Sequence, residues 1–180
     1  MLAISASTVD DWDALVHCTK LIRFHTCEYE VDIQSNFRDL SLLRNCVDIE
    51  NIHAGVSLIT DITPLKSFRK LKVLGLGGGQ IADYRPLSDV QSLEYICLNH
   101  SNFQYLGHAC QLVNLKRLDC AATRVTDLEP LLQFRGLLSL NIYLCKISCY
   151  APLLKLNYSL YVTSEIFHRQ FLIEPRGLQM

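Results

Sequence analysis

The sequence predicts an α/β solenoid, because apolar residues and prolines recur with a period of about 22 residues and because the apolar spacing changes within each copy. A fixed period of about 20 to 50 residues is typical of proteins that stack one small unit on the next. Four of the five prolines share one position of this period, and His108 stands there in the remaining copy. These prolines are Pro64, Pro86, Pro130 and Pro152.

Within one copy, the apolar residues first step by three and then alternate. Leu65, Phe68 and Leu71 are three residues apart, which predicts a short 3₁₀ or α turn. Leu74 and Leu76 alternate with other residues, which predicts a strand. We expect stacked copies to pair their strands in parallel, about 4.8 Å apart. The apolar positions of this copy are Ile59, Ile62, Leu65, Phe68, Leu71, Leu74 and Leu76, and they recur through Ile142.

Acidic residues and prolines mark the start of each helical return. Proline fits the first turn of a helix, since its missing N–H group would have no partner there. Asp61, Asp83 and Asp127 each stand shortly before a proline, where a carboxylate can accept backbone N–H bonds. Each copy is therefore predicted to be a short strand, a turn and a compact helical return.

The repeat extends towards the N-terminus with one irregularity. Counting back one period from Ile59 starts a copy at Phe37. A still earlier copy starts at Val9, and these two starts are further apart than one period. The extra residues lie near 27–33, so we expect an irregular N-terminal repeat or cap.

The C-terminal end is predicted to leave the repeat. Leu156, Leu160 and Val162 are expected to slip out of step after Ile147. The last segment matches no copy, and it forms either a cap over the open end of the core or a truncated repeat. Its apolar residues are Ile166, Phe167, Phe171, Leu172 and Ile173. We expect one domain over 1–180, with an irregular N-terminal repeat or cap at 1–36, repeats at 37–162 and a C-terminal cap or tail at 163–180.

The copies resemble leucine-rich repeats, whose core runs L-x-x-L-x-L-x-x-N-x-I. Here Leu71, Leu74, Leu76 and Ile81 match that core, and Gly79 stands at the position of the asparagine. The period and the Ile-x-Asp-x-x-Pro-Leu insert look like the subclass found in internalins and in the leucine-rich regulatory subunit of protein phosphatase 1. The resemblance implies a leucine-rich-repeat horseshoe with a parallel concave β-sheet and short 3₁₀ or α returns on the convex side.

The strand residues that alternate with the buried leucines are expected to line the concave face. Their mixture is polar and nearly neutral, which favours a protein or peptide partner. Tyrosine and arginine are also the residue types most enriched at binding hot spots. The predicted partner-binding residues are Asn51, His53, Val73, Tyr95, Cys97, Asn99, Arg117, Asp119, Ser139, Asn141 and Tyr143.

Composition argues against several classes of partner. The net charge is −1 and hydrophobic residues make up 49%, which predicts no general attraction to nucleic acid or to acidic lipid. No apolar run approaches the length of a membrane helix, about 18 residues, and the N-terminus lacks the features of a secretory signal. The eight cysteines form no paired C-x-x-C framework, so reduced thiols and a cytoplasmic location are expected. The oligomeric state is not predicted.

Two motifs suggest chemistry but do not fit the repeat. Cys97, His100, His108 and Cys110 are spaced like zinc ligands, yet the first pair belongs to the strand side and the second to the return. The glycine-rich run 75–79 lacks both the Gly-Lys-Ser/Thr ending of a phosphate loop and the last glycine of G-x-G-x-x-G. We therefore predict no metal site and no cofactor.

No recognised catalytic motif is present, and the leading hypothesis is a non-catalytic adaptor, scaffold or regulator. The alternative is the recognition domain of a larger enzyme or effector, such as a ubiquitin ligase or a phosphatase complex. A weaker third hypothesis is an enzyme that uses Cys97 as its nucleophile. The basic residues Lys66, Arg69, Lys70 and Lys72 are interpreted as a solvated face, with an acidic partner as the alternative.

Overall fold

The computed structural model describes residues 2–3, 11–26, 35–165 and 169–174, with the backbone alone at 2–3 and 169–171. The strands among these residues form one sheet of nine in chain order. Strands β1 to β8 pair in parallel, and β9 pairs antiparallel with β8. They are β1 Leu2–Ala3, β2 Arg23–His25, β3 Asn51–His53, β4 Val73–Gly75, β5 Tyr95–Cys97, β6 Arg117–Asp119, β7 Ser139–Asn141, β8 Leu160–Ser164 and β9 Arg169–Ile173.

Paired residues of neighbouring central strands are separated along the chain by one period of the sequence repeat. Val73 pairs with Tyr95, Tyr95 with Arg117, and Arg117 with Ser139. One period is therefore the length of chain from a strand to its neighbour. The middle residue of each of these strands is buried, as at Leu74. The predicted horseshoe with a parallel sheet is confirmed.

Short 3₁₀ helices return the chain from one strand to the next, as predicted. The carboxylates of Asp61 and Asp127 accept hydrogen bonds from the backbone N–H groups of Thr63 and Glu129, at 2.8 and 2.9 Å. The helix that contains His108 is the shortest, at three residues. The helices of the described chain are Asp13–His17, Leu40–Leu43, Thr63–Ser67, Arg85–Asp89, Leu106–His108, Glu129–Gln133 and Ala151–Lys155.

One continuous apolar core runs through the solenoid from Trp12 to Val162. Burying each leucine or isoleucine side chain stabilises the fold by about 1.5–3 kcal/mol before the entropy of ordering is subtracted. Cys46 and Cys120 occupy core positions and are fully buried, while Cys18 is only partly buried. Because each coil packs against its two neighbours, the core ladder carries the stability of the fold.

The coils that follow β3 to β7 each turn sharply through one residue of left-handed backbone. Side chains other than glycine adopt this conformation at a cost of roughly 1–2 kcal/mol. In the following position, the hydroxyl groups of Ser101 and Thr123 each donate a 2.6 Å hydrogen bond to the carbonyl three residues before them, which closes the turn. The left-handed residues are Val56, Gly78, His100, Ala122 and Leu144, with φ of 49°, 73°, 59°, 53° and 58°.

Three aromatic rings pack together at the N-terminal end of the core. The ring centroids of Trp12 and Phe24 lie 5.1 and 4.9 Å from that of Phe37. Trp12 and Phe24 therefore belong to the buried core. Val9 and residues 27–33 lie outside the described residues.

Strand β8, the last of the parallel strands, keeps the repeat register, contrary to expectation. Val162 pairs with Leu140, and Leu156 is buried in its repeat position. The predicted slip is wrong, because Ser159 interrupts the leucine column and hides a register that the strand pairing maintains. Leu160 is also buried, at a position that is exposed in several earlier coils.

Strand β9 folds back along β8 and covers part of the last coil. Leu160 pairs with Ile173, and the side chain of Ile173 packs against the core. Leu172 is exposed, whereas Ile166 and Phe167, also expected in a cap, lie outside the described residues. Within the described chain, no helix is long and apolar enough to cross a membrane.

Candidate functional site

The concave face is built from outward-facing residues that the strand register aligns in rows. Strands β2 to β7 have three residues each, whose side chains alternate in direction. The first and third side chains therefore point away from the core. A further row lies two residues beyond the strand ends. The predicted residues fall into these rows as Asn51, Val73, Tyr95, Arg117 and Ser139, then His53, Cys97, Asp119 and Asn141, then Asn99 and Tyr143.

Three of these residues form a compact cluster across β5 and β6, here called the ionic latch: Tyr95, Arg117 and Asp119. The Tyr95 hydroxyl donates to Asp119 Oδ2 at 2.8 Å. Arg117 donates from Nη2 to the same oxygen at 2.7 Å and from Nε to Asp119 Oδ1 at 3.1 Å. The guanidinium carbon also lies 4.8 Å from the centroid of the Tyr95 ring. The latch therefore ties two repeats together through side chains.

The latch is electrically balanced and largely closed to solvent at its carboxylate. Asp119 is only 3% exposed, because the two partner side chains cover it, so it is not the open contact residue that its row suggested. The hydrogen bond to Asp119 raises the pKa of Arg117. Burial, followed by the hydrogen bond to Asp119, raises the pKa of the Tyr95 hydroxyl. The guanidinium therefore stays charged and the phenol neutral.

The other notable part of the concave face is a depression over Gly55, Gly75 and Gly77, here called the glycine trough. Its volume is about 580 Å³. No residue that lines it is an aspartate, glutamate, lysine or arginine. The lining consists of His53, Gly55, Val56, Gly75, Gly77, Gly78, Tyr95, Cys97, Asn99 and His100.

The trough exists because side chains are missing where neighbouring coils approach closely. A Cβ atom on Gly77 would lie 3.0 Å from the carbonyl oxygen of Asn99, and one on Gly55 would lie 3.1 Å from that of Gly77. At Gly75 the same atom would lie 2.8 Å from Nδ1 of His53, whose imidazole occupies that space. The carbonyl groups of the next coil thus lie close to Gly55 and Gly77 at the floor of the trough.

A pair of histidines stands at one end of the trough. The rings of His25 and His53 are 4.7 Å apart and nearly perpendicular. Burial lowers the pKa of both imidazoles, and Arg23 lowers that of His25 further. Both rings are therefore neutral at neutral pH. His25 was missed because it precedes His53 by more than one period, in the irregular first copy.

Tyr161 is a second residue that the sequence analysis missed. It pairs with Ser139 and continues the row of Tyr95 and Arg117 onto β8. Its side chain is exposed on the concave face. The signal was present in the sequence, since Tyr161 follows Ser139 by one period, but the expected slip concealed it.

The thiols do not provide an activated nucleophile on the concave face. Burial raises the pKa of Cys97, which keeps it a neutral thiol. A hydrogen bond from Cys120 lowers the pKa of Cys145 to about 6, but Cys145 is only 7% exposed. Among the described residues, no group of three or more His, Cys, Asp or Glu side chains could hold a metal ion.

Another depression lies among the helical returns near the C-terminal end. It measures about 790 Å³, and its walls include Gln133, Arg135 and Tyr158. The Tyr158 hydroxyl donates to the carbonyl of Leu131 at 2.8 Å, and the Cys110 thiol donates to Gln133. These polar groups serve the packing of the returns, so the concave face remains the better candidate despite its smaller depression.

The nine-stranded sheet, its register and the 3₁₀ returns define a leucine-rich-repeat horseshoe. No protein-family model matches the sequence, and no curated protein matches it either. Solved structures nevertheless share the fold, and their backbones resemble that of this chain more than their sequences do.

An internalin (InlF) from Listeria monocytogenes superposes with a TM-score of 0.70 at 23% identity, over 86% of this chain and 45% of that one. Internalin C2 from the same organism gives a TM-score of 0.61 at 17% identity, over 83% of this chain and 74% of that one. A leucine-rich-repeat protein from Leptospira interrogans gives 0.68 at 17% identity, over 84% of this chain and 38% of that one. This chain thus spans less than half of InlF, and the likeness establishes the shared fold.

Proposed function

We propose that this chain is a non-catalytic interaction module that binds a protein or peptide partner across its concave face. The observation that carries the proposal is the continuous outward surface of the parallel sheet, in which tyrosine and arginine side chains stand in register. Solenoids use such extended concave surfaces for binding. Adaptor, scaffold and regulator are the roles that a module of this kind serves.

The side chains at the C-terminal half of the face suit a binding surface. Tyr143 is 39% exposed, and Tyr161 on the next strand is also exposed, two rows away from Tyr143. Arg117 is held in one position by the latch, so less conformational entropy is lost when a partner binds it. Large, ordered side chains of these types contribute most of the binding energy at interfaces.

Several properties support a protein partner without catalysis or a cofactor. The net charge of −1 gives no general attraction to nucleic acid or to an acidic membrane. The raised pKa of Cys97 opposes the nucleophile hypothesis. Two of the basic residues, Lys70 and Lys72, pair with Asp48 and Glu50 of the preceding coil, which supports a solvated face in that region. A cytoplasmic location, inferred from the cysteine pattern, belongs to the same proposal.

The domain boundaries also belong to this proposal: one domain over 1–180, with end segments at 1–36 and 163–180 around the repeats. The length of the period supports the resemblance to the subclass that includes internalins and the phosphatase regulatory subunit. A second candidate function is the recognition domain of a larger protein, such as a ubiquitin ligase or a phosphatase complex. The observation in its favour is that the chain spans 45% and 38% of two of the solved structures.

Photocrosslinking from two matched tyrosine positions tests the concave site. Tyr143 lies on the concave face and Tyr105 lies at the start of a helical return, with exposures of 39% and 46%. Each is replaced in turn by the photoreactive residue p-benzoylphenylalanine, and the two proteins are irradiated in lysate of the source cells. We expect a specific protein adduct from position 143 and none of the same mass from position 105.

The outcomes separate the proposal from its alternatives. An adduct that forms only from position 105 would move the site to the convex side and contradict the concave assignment. Adducts at neither position, in lysates that contain the native partners, would contradict the interaction module itself. Circular dichroism of both variants serves as the control for folding, since both positions are on the surface.

A further inference from the structure

We propose that the glycine trough receives an uncharged aromatic side chain of the partner polypeptide. This inference rests on the proposed function and names the chemical group that the concave face recognises. The trough offers a depression of about 580 Å³ with a flat glycine floor between the rings of His53 and Tyr95. Pockets of roughly 300–1,000 Å³ with few polar groups typically hold apolar and aromatic groups.

The lining of the trough excludes charged groups. Three ionisable residues of the lining are neutral at pH 7, because burial lowers the pKa of His53 and raises the pKa values of Tyr95 and Cys97. A charged side chain would lose hydration there, and no aspartate, glutamate, lysine or arginine of the lining would compensate its charge. An uncharged occupant therefore matches the trough.

The floor of the trough has its backbone carbonyls already engaged. The carbonyl of Gly75 accepts from the N–H group of Ala54 at 2.8 Å, and that of Gly77 accepts from Val56 at 2.7 Å. On the far wall, the carbonyl of Asn99 accepts from Gly78 at 2.7 Å. These three carbonyl groups are therefore engaged in holding neighbouring coils together.

The shape and chemistry of the walls favour a ring over an aliphatic chain. Aromatic rings attract one another in edge-to-face and offset geometries, and both His53 and Tyr95 present rings to the depression. Cys97 also lines the depression, and sulfur–aromatic contacts are favourable. A planar aromatic side chain therefore suits a lining that contains two rings and a thiol.

The rim indicates that the ring belongs to a polypeptide. Asn99 uses its side-chain oxygen to accept a hydrogen bond from the N–H group of Ala121 at 2.7 Å. This fixes the orientation of the amide and directs its NH₂ group away from Ala121. That group can donate to a main-chain carbonyl next to the bound ring, which a free aromatic molecule lacks.

NMR titration of the isotopically labelled chain with four defined probes tests the inference. The probes are the capped tripeptides acetyl-Gly-Trp-Gly-amide, acetyl-Gly-Leu-Gly-amide and acetyl-Gly-Lys-Gly-amide, together with free indole. We expect the tryptophan peptide to move the amide signals of Gly75, Gly77 and Gly78. It should bind about fivefold tighter than the leucine peptide and about threefold tighter than indole. The lysine peptide should cause no shift of these signals.

A matched pair of variants locates the site independently. Cys97→Phe places a ring in the trough, and Thr163→Phe places the same ring in the same row three strands away. We expect Cys97→Phe to abolish the shifts caused by the tryptophan peptide and Thr163→Phe to preserve them. If Cys97→Phe fails to fold, the map of shifted signals in the wild-type chain decides the question alone.

Several results would overturn the inference. Equal affinity for the tryptophan and lysine peptides would contradict an uncharged aromatic occupant, and equal affinity for indole would contradict a polypeptide source. Shifts confined to β7 and β8, or none at all, would contradict the trough as the site. The proposed function is judged separately: if the adduct at position 143 forms equally in the Cys97→Phe background, the concave interaction stands and the trough inference fails.

Discussion

At the ends of β3 and β4 the concave face is backbone alone at Gly55, Gly75 and Gly77, whereas on β5 and β6 it is tied together by side chains. Gly75 and Gly77 leave a depression in which the neighbouring coils touch through main-chain atoms. On β6, two strands beyond β4, Asp119 is covered by Tyr95 and Arg117, and the Tyr95 hydrogen bond joins the two coils. The backbone register is the same in both places.

This difference shows that the inward ladder supports two different outward surfaces in the same register. Leu74, Ile96 and Leu118 are equally buried under both regions. Outward residues can therefore open a cavity in one coil and link two coils in the next. The four predictions below test how far each region depends on its own residues, from the largest expected effect to the smallest.

The largest effect is expected from Asp119→Ala in the latch. It removes the shared acceptor of Tyr95 and Arg117, and breaking a buried ion pair is strongly destabilising. Because Arg117 is half exposed and can regain water, we expect the free energy of unfolding to fall by about 3 kcal/mol, the low end for such pairs. Urea denaturation measures it. The control is Glu94→Ala, whose exposed pair with Lys116 should contribute less than about 1 kcal/mol.

In the trough, Gly77→Ala is expected to lower the free energy of unfolding by about 2 kcal/mol. The new Cβ atom meets a backbone carbonyl 3.0 Å away, which cannot move without shifting the next coil. The matched control is Gly136→Ala, where the nearest atom lies at 3.4 Å and the substitution should be neutral or slightly stabilising. Equal effects at the two glycines in urea denaturation would show that close packing is not what requires Gly77.

Val56→Gly at the edge of the trough is expected to stabilise the protein. Val56 is a β-branched residue at φ 49°, and replacement by glycine removes a backbone strain of about 1 kcal/mol while losing a side chain that is 43% exposed. Thermal denaturation should show a higher midpoint. Val113→Gly is the comparison, since Val113 is also exposed but has no positive φ, and it should lower the midpoint.

The smallest expected effect is a dependence of stability on pH, to which the histidine pair at the trough end of the sheet contributes. His25 and His53 have pKa values below their usual 6.5, so the unfolded chain takes up protons first as the pH falls below that value. Stability should therefore decrease on acidification from about pH 7.5 to about pH 5.5. In the latch, the raised pKa values of Tyr95 and Arg117 keep both groups from titrating in this range.

Urea midpoints at the two pH values, for wild type and for the His25→Gln, His53→Gln double variant, measure this dependence. The double variant should retain only the part due to other groups, including His108, whose pKa is also lowered by burial. An unchanged pH dependence in the double variant would assign the effect to other groups and remove the distinction between the two regions.

Much of the fold could be predicted because each copy of a stacked repeat buries the same positions. The period placed Leu74, Ile96 and Leu118 inside and aligned Val73 with Tyr95, as the structure confirms. The prediction failed at the last coil, where Ser159 broke the leucine column while β8 kept its register. A single polar residue in the last coil is a weak guide to the strand register, because the pairing there depends on the neighbouring coil.

The candidate site could be predicted as a surface but not as an arrangement. Alternation along the strands identified the rows that contain Tyr95, Arg117 and Asp119. It could not show that the Asp119 carboxylate is covered, because this depends on which way two long side chains lean. Nor could it show His25 beside His53, since the irregular first copy hides that contact.

The sequence by itself determined the horseshoe fold, the inward ladder and the direction in which each strand residue points. These follow from local alternation and from a constant length of chain per coil, which one-dimensional spacing records. Only the tertiary structure decided that Gly55, Gly75 and Gly77 form one trough and that Tyr95, Arg117 and Asp119 form one latch. The physical reason is that a cavity and a hydrogen bond depend on distances of a few ångströms between side chains from different coils, and residue spacing does not contain those distances.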